Sequence, residues 1–220
     1  MIKWCFIALL LALTSCRKTN QITVINQGIG GNKASDVVIR IDTALQSNPD
    51  LAIVMIGTND VSRQVAYKKF ADNLSIVINR IKKSGAKVLL MSPPPRGTEV
   101  IGLPDNFKNG RTDTITSIID SLGKKLNCYY LNINQAFKDA GTPSADKSSM
   151  LYNSANNPGK PDGIHLTVDG RQFIAAKVNR FIQDNLPKGS YSVVVCIGDS
   201  LTAGGSASYP AYLRILLNAQ

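Results

Sequence analysis

LAIVMIGTND, residues 51–60, begins with six apolar residues in succession and then turns through Gly57 into polar side chains. An amphipathic helix would break such a run every third or fourth position, and a strand with one wet face would alternate. A short continuous apolar run is the pattern of a strand buried on both faces, as in a parallel sheet covered by helices.

The flanking sequence follows suit. Upstream, ITVINQG (22–28) is β-rich and ends in glycine, and DVVIRIDTALQS carries Val37, Ile41 and Leu45 at helical spacing. Downstream come a helix around FADNLSIVINRIKKSG, the strand KVLLMS stopped by PPP, a helix around TDTITSIIDSLGKKL and the strand CYYLNI. After a polar stretch, 141–161, the helix DGRQFIAAKVNRFIQDNL leads through PKGS to the strand YSVVVCIG, and YPAYLRILLNAQ forms a last helix. Strands alternating with helices predict one α/β domain, doubly wound and flavodoxin-like, with a parallel five-stranded sheet and helices on both faces. A chain of 220 residues is long enough to bury such a core. No internal repeat is present.

The first residues stand apart from this pattern. Lys3 precedes the apolar run WCFIALLLAL, which is too short to span a bilayer and has the form of a secretory signal. LTSC, residues 13–16, resembles the lipobox of bacterial lipoprotein signals. That resemblance implies cleavage before Cys16, lipidation of its sulfur and an extracytoplasmic protein anchored to a membrane, since several acyl chains hold stably where one does not. An ordinary cleaved signal with an incidental Cys16 is the alternative. The division expected is a signal peptide at 1–15, a tether at 16–21 and the α/β domain at 22–220.

Cys128 and Cys196 remain in the domain, both inside apolar strand patterns, and read as buried thiols rather than a disulfide or ligand pair. The formal net charge of +10 is scattered along the chain without aromatic interleaving, so no nucleic-acid partner is expected. A basic surface of this kind suits proximity to anionic membrane. With one histidine and no clustered thiols, no metal or cofactor is expected.

In a doubly wound sheet the chemistry lies just past the carboxyl ends of the strands. Four segments there carry reactive residue types. IGDSLT places Ser200 on a strand-to-helix turn, where its hydroxyl can be exposed, although a serine there also serves as a helix N-cap. GTND places Asn59 where its side-chain N–H can face a developing oxyanion; an Asx-turn is the simpler role. GIGGN, residues 28–32, offers close backbone approach and free N–H groups, or merely a turn with positive φ. PDGIHLT holds His165, the only histidine and so the one imidazole able to activate a serine near neutral pH. Asp162, three residues earlier, can orient it; a structural histidine is the alternative.

Taken together the four resemble the SGNH (GDSL) hydrolases, through Gly198-Asp199-Ser200, Gly31 within VINQGIGGN, Gly57-Thr58-Asn59-Asp60 and Asp162-Gly163-Ile164-His165. The resemblance runs over nearly all of 22–220. It implies a carboxylic ester hydrolase with Ser200 as nucleophile, His165 as base, Asp162 as orienting carboxylate, and an oxyanion hole from the N–H groups of Ser200 and Gly31 with the Asn59 side chain. The blocks here run glycine, asparagine, aspartate-histidine, serine. That is a rotation of the family's order, so the chain reads as a circular permutant. The family's strand order would set the Ser200 strand at the centre, between the strands at Ile22 and Leu51. The polar segments 97–110 and 141–161 are the expected site walls and lack a long apolar run. Short acyl esters on carbohydrate, acetyl in particular, are therefore the expected substrates. Lysophospholipid and thioester cleavage, and an inactive glycan-binding lipoprotein, are the alternatives.

Overall fold

The computed structural model describes residues 21–98 and 104–219; the expected signal and Cys16 lie outside them. Five strands, β1 (Thr23–Gly28), β2 (Leu51–Met55), β3 (Lys87–Met91), β4 (Tyr129–Leu131) and β5 (Val193–Gly198), pair in parallel in the order β1-β5-β2-β3-β4.

All five residues of β2 are buried, which is why the sequence there shows no alternation. The alternation reappears in which core each residue joins. Leu51, Ile53 and Met55 meet Leu89, Val194 and Cys196 on one face; Ala52 and Val54 meet Val88, Leu90, Val195 and Ile197 on the other. The second face is covered by α1 (Ala34–Ala44), α3 (Tyr67–Lys83) and α4 (Asn106–Lys125), the short helix α2 (Thr58–Ser62) lying between β2 and α3 in the chain. The three covering helices contribute Val37, Ile41, Phe70, Leu74, Ile78, Ile115 and Ile119. The first face is covered by α5 (Ile133–Asp139), α6 (Val168–Asn185) and α7 (Tyr209–Asn218) through Ile133, Phe137, Ile174, Val178, Ile182, Tyr209 and Leu213. Truncating any of these to alanine costs about 2–5 kcal/mol, so the sheet and its two helical layers form a firm platform for the loops above it.

Four details depart from the sequence expectations. The Ser200 strand, β5, is interior but second from the edge, and β2 is central, because two strands lie beyond β2 and only β1 lies beyond β5. The segment 97–110 is not all loop: Asp105 accepts a hydrogen bond from the N–H of Lys108 at 3.0 Å and starts α4 at Asn106. α5 arises from a similar device, Asn132 accepting from the N–H of Gln135 at 2.9 Å. Cys196 is buried, whereas Cys128 precedes β4 and is half-buried.

The two ends of the described domain meet. Ile22 donates its N–H to Asn218 Oδ1 at 2.8 Å, and Asn218 Nδ2 donates to the Ile22 carbonyl at 2.9 Å.

Candidate active site

The parallel ladder brings three strand ends level: Gly28 of β1 and Met55 of β2 both stand opposite Gly198 of β5. Gly198 is required sterically, since a Cβ there would run into the Met55 carbonyl and the Thr202 side chain. The chain leaves β5 in a tight turn in which the Asp199 carbonyl accepts from the N–H groups of Thr202 (3.1 Å) and Ala203 (3.0 Å), and Asp199 Oδ1 accepts from Leu201 at 2.9 Å. Ser200 sits at the head of that turn.

Opposite it, His165 Nε2 lies 3.0 Å from Ser200 Oγ, and His165 Nδ1 lies 2.8 Å from Asp162 Oδ2. Because a carboxylate only accepts, Nδ1 carries the proton and Nε2 is left to accept from the serine hydroxyl. Asp162 is itself fixed by the N–H groups of Ile164 and His165, each 2.7 Å from Oδ1.

Electrostatics agree with the geometry. The hydrogen bond to Asp162 raises the pKa of His165 above its ordinary value, against the opposing effect of burial. Burial pushes Asp162 upward, but hydrogen bonds from the His165 ring and from two backbone N–H groups outweigh it and hold the carboxyl below its usual range. Asp199 behaves oppositely. It is 1% exposed, and burial drives its pKa up to about 6. Asp60, which accepts the Ala34 N–H at the start of α1, is likewise pushed up to about 6 by burial.

The glycine and asparagine loops close on the same point. A Cβ on Gly30 would stand 3.9 Å from Ser200 Cβ, so this backbone lies against Ser200; Gly31 turns it with φ of 79°. Asn59, in α2, donates from Nδ2 to the Asn32 carbonyl at 3.0 Å, with Asp199 Oδ2 at 3.5 Å. The structure thus brings together all five residues singled out in the sequence. It adds Asn32, which sequence reading passes over because attention in GIGGN falls on the glycines.

The loop carrying Asp162 and His165 is held differently, by the polar stretch before it. Tyr152 donates its N–H to the His165 carbonyl and accepts from the Gly163 N–H, both at 2.9 Å; Thr167 donates to Met150 at 3.0 Å. Gly163 has φ of 65°, accepts from the Gly97 N–H at 2.8 Å, and has no room for a Cβ beside the Gly97 carbonyl. Among the described residues, no group of three His, Cys, Asp or Glu side chains converges in a way that could hold a metal ion, and no helix is long and apolar enough to cross a membrane.

Comparison with known proteins gives a consistent picture. Residues 9–173 match the model of the GDSL-like lipase/acylhydrolase family, a span that includes Gly31, Asn59, Asp162 and His165 and ends before Ser200. An arylesterase of Vibrio mimicus is 33% identical over 104 residues, 47% of this chain and 48% of that protein. An uncharacterized lipoprotein of Bacillus subtilis, YqeF, is 32% identical over 81 residues, 34% of this chain and 33% of its own. The chain therefore spans half or less of the length of these relatives. The crystal structure of an acetyl xylan esterase, AlAXEase, superposes with a TM-score of 0.55 at 26% identity, over 70% of this chain and 78% of that one.

Proposed function

The chain belongs to the GDSL-like lipase/acylhydrolase family, and from that premise we propose that it is a serine esterase that removes short acyl groups, acetyl above all, from carbohydrate. The observation that carries the reading is the unbroken relay from Ser200 Oγ through His165 to Asp162, at 3.0 and 2.8 Å.

Ser200 Oγ attacks the ester carbonyl while His165 Nε2 takes its proton. The resulting oxyanion is held by the N–H groups of Ser200 and Gly31 and by Asn59 Nδ2. As the tetrahedral species collapses, His165 returns the proton to the departing alcohol, leaving an acyl-serine. Water then attacks that acyl group with His165 again as base, releasing the carboxylic acid and restoring Ser200. Asp162 fixes the tautomer and stabilises the imidazolium that forms twice in the cycle. No step calls for a cofactor.

The likeness to an acetyl xylan esterase and the polar wall at 141–161 support a short acyl group on a sugar. Turnover of p-nitrophenyl acetate and acetylated xylan by the soluble domain, absent in Ser200→Ala, is the test. A decanoyl ester hydrolysed as fast as acetate overturns the short-acyl reading. Absence of turnover together with retained glycan affinity overturns catalysis in favour of a binding lipoprotein.

We read the block order as a circular permutation. Three observations support it: the family match ends before Ser200, the last strand in the chain lies inside the sheet between β1 and β2, and residues 22 and 218 are hydrogen-bonded to each other. A variant opened within 187–190, with residue 218 joined to residue 22 by a short linker, should retain activity. If it folds and is inactive, the permutation reading fails. We assign residues 1–15 to a lipoprotein signal, 16–21 to a tether and 22–220 to the hydrolase domain, with Cys16 lipidated and the protein extracytoplasmic and membrane-anchored. LTSC and the lipoprotein relative support that assignment. Cys16→Ala should move the protein from the detergent phase to the aqueous phase on Triton X-114 partition.

A further inference from the structure

Arg40 belongs to none of the four motifs, yet it reaches two of them. It lies on α1, two turns from the glycine loop, and is partly buried, with burial depressing the guanidinium's pKa. Its Nε donates to Asn32 Oδ1 at 2.6 Å and one terminal nitrogen donates to the Gly198 carbonyl at 3.0 Å. Gly198 lies two residues before Ser200. The Asn32 carbonyl is the acceptor that holds Asn59 Nδ2, at 3.0 Å.

One planar group is therefore bonded to the strand end that delivers Ser200 and to the loop that delivers Gly31, and through the Asn32 peptide it bears on Asn59. Resting on the esterase reading above, we propose that Arg40 is a positioning residue for the oxyanion hole: it fixes the mutual placement of its three donors without touching the substrate. The chemistry favours arginine specifically. Nε and a terminal nitrogen of a guanidinium are fixed in one rigid plane, so two acceptors on different segments are held at a set separation. A lysine ammonium, a flexible point donor, can serve either acceptor but does not lock the pair. The donors must meet an oxygen that exists only in the transition state, so their displacement lowers kcat and leaves ground-state affinity nearly intact.

Arg80 supplies the control. It reaches α1 from α3, donating to the Val38 carbonyl at 2.9 Å and to Asp42 at 3.4 Å, and contacts no strand end. The experiment measures kcat and KM on p-nitrophenyl acetate for wild type, Arg40→Met, Arg40→Lys, Arg80→Met, Asn59→Ala and the Arg40→Met/Asn59→Ala double variant. Arg40→Met should lower kcat by roughly ten- to a hundredfold, with KM changed less than threefold. Arg40→Lys should recover only part of the loss, and Arg80→Met should match wild type. In the Asn59→Ala background, Arg40→Met should cost measurably less than it does alone, because one of the three donors it positions is already gone.

A full penalty in that background, or an Arg80→Met loss of equal size, makes Arg40 merely structural and overturns the proposal. So does unchanged kcat in folded Arg40→Met. The Asn59 side-chain NH2 resonances, assigned by their loss in Asn59→Ala, give a readout independent of turnover. They should shift in Arg40→Met and stay in place in Arg80→Met. If wild type shows no Ser200-dependent turnover, the esterase reading falls, and these resonances alone decide whether Arg40 sets Asn59: no shift overturns it.

Discussion

The serine side of the site and the histidine side are built from different materials. Ser200, the Gly31 loop and Asn59 follow three adjacent strands whose ends are level in the ladder. Their placement derives from regular backbone hydrogen bonding and a buried core. Asp162 and His165 follow no strand. They lie on a loop held by backbone bonds to Tyr152, Met150 and Gly97, with Leu151 and Leu166 anchoring its base in the core. The difference teaches that Ser200, Gly31 and Asn59 are placed by the regular pairing of the sheet, whereas Asp162 and His165 are placed by an irregular segment, which is expected to open locally while the sheet remains closed.

The largest test of this contrast is Asp162→Asn against Asn59→Ala. An amide at 162 turns a donor toward His165 Nδ1 and favours the tautomer with its proton on Nε2, facing Ser200; kcat should fall about 10⁴-fold. Asn59→Ala removes one of the proposed oxyanion donors and should cost about 10²–10³-fold. If the order is reversed, orientation of the base is not the more demanding half. A pH profile sharpens the point. In the proposed mechanism His165 works as neutral imidazole, and its pKa is raised chiefly by the Asp162 hydrogen bond. Activity should therefore rise with pH through a midpoint above 6.5. The residual activity of Asp162→Asn should have its midpoint lower than wild type, and an unmoved midpoint removes Asp162 as the cause.

Two glycines separate the regions by stability. Gly198→Ala forces a Cβ onto the Met55 carbonyl and Thr202 and should destabilise the domain by about 1–3 kcal/mol, read as a lower Tm. Gly163→Ala meets the Gly97 carbonyl at a left-handed φ. Its strain should be released locally, with faster amide exchange at Tyr152 and Thr167, lower kcat and β5 protection unchanged. Loss of β5 protection in Gly163→Ala would mean that the loop and sheet unfold as one unit.

The smallest effect concerns Asp199. A carboxyl whose folded pKa is raised favours the native state while protonated, and that contribution is lost as pH climbs from about 4 through about 6. Asp199→Asn should therefore gain Tm relative to wild type at pH 7 and lose the gain at pH 4. A difference that does not change with pH would show that Asp199 is not titrating in the folded protein.

What could be read from the sequence divides along the same line. The apolar run at β2 and the four motifs were legible because burial and catalysis constrain residue type position by position. Ser200, Asn59 and His165 each have chemistry that few substitutes supply. The supports were not legible in the same way. Arg40 and Gly198 are 158 positions apart, and only the strand order makes them neighbours. The bridge between Leu151 and Leu166, which brings Tyr152 to the His165 carbonyl, leaves no periodicity, being isolated from any strand. α5 and the first turn of α4 depend on the side chains of Asn132 and Asp105 capping them, a signal one residue wide.

The hydrogen bonds between Ile22 and Asn218 close a ring between residues 196 positions apart. For an unstructured polymer, bringing together ends so far apart along the chain costs about 5 kcal/mol of entropy. Here Thr23 is already held beside Val193 in the ladder, so the closure comes nearly free, and two exposed hydrogen bonds suffice to fasten it. A covalent bond in their place would add little to the folded protein. It would act on the unfolded one, by denying that chain the freedom of two loose ends.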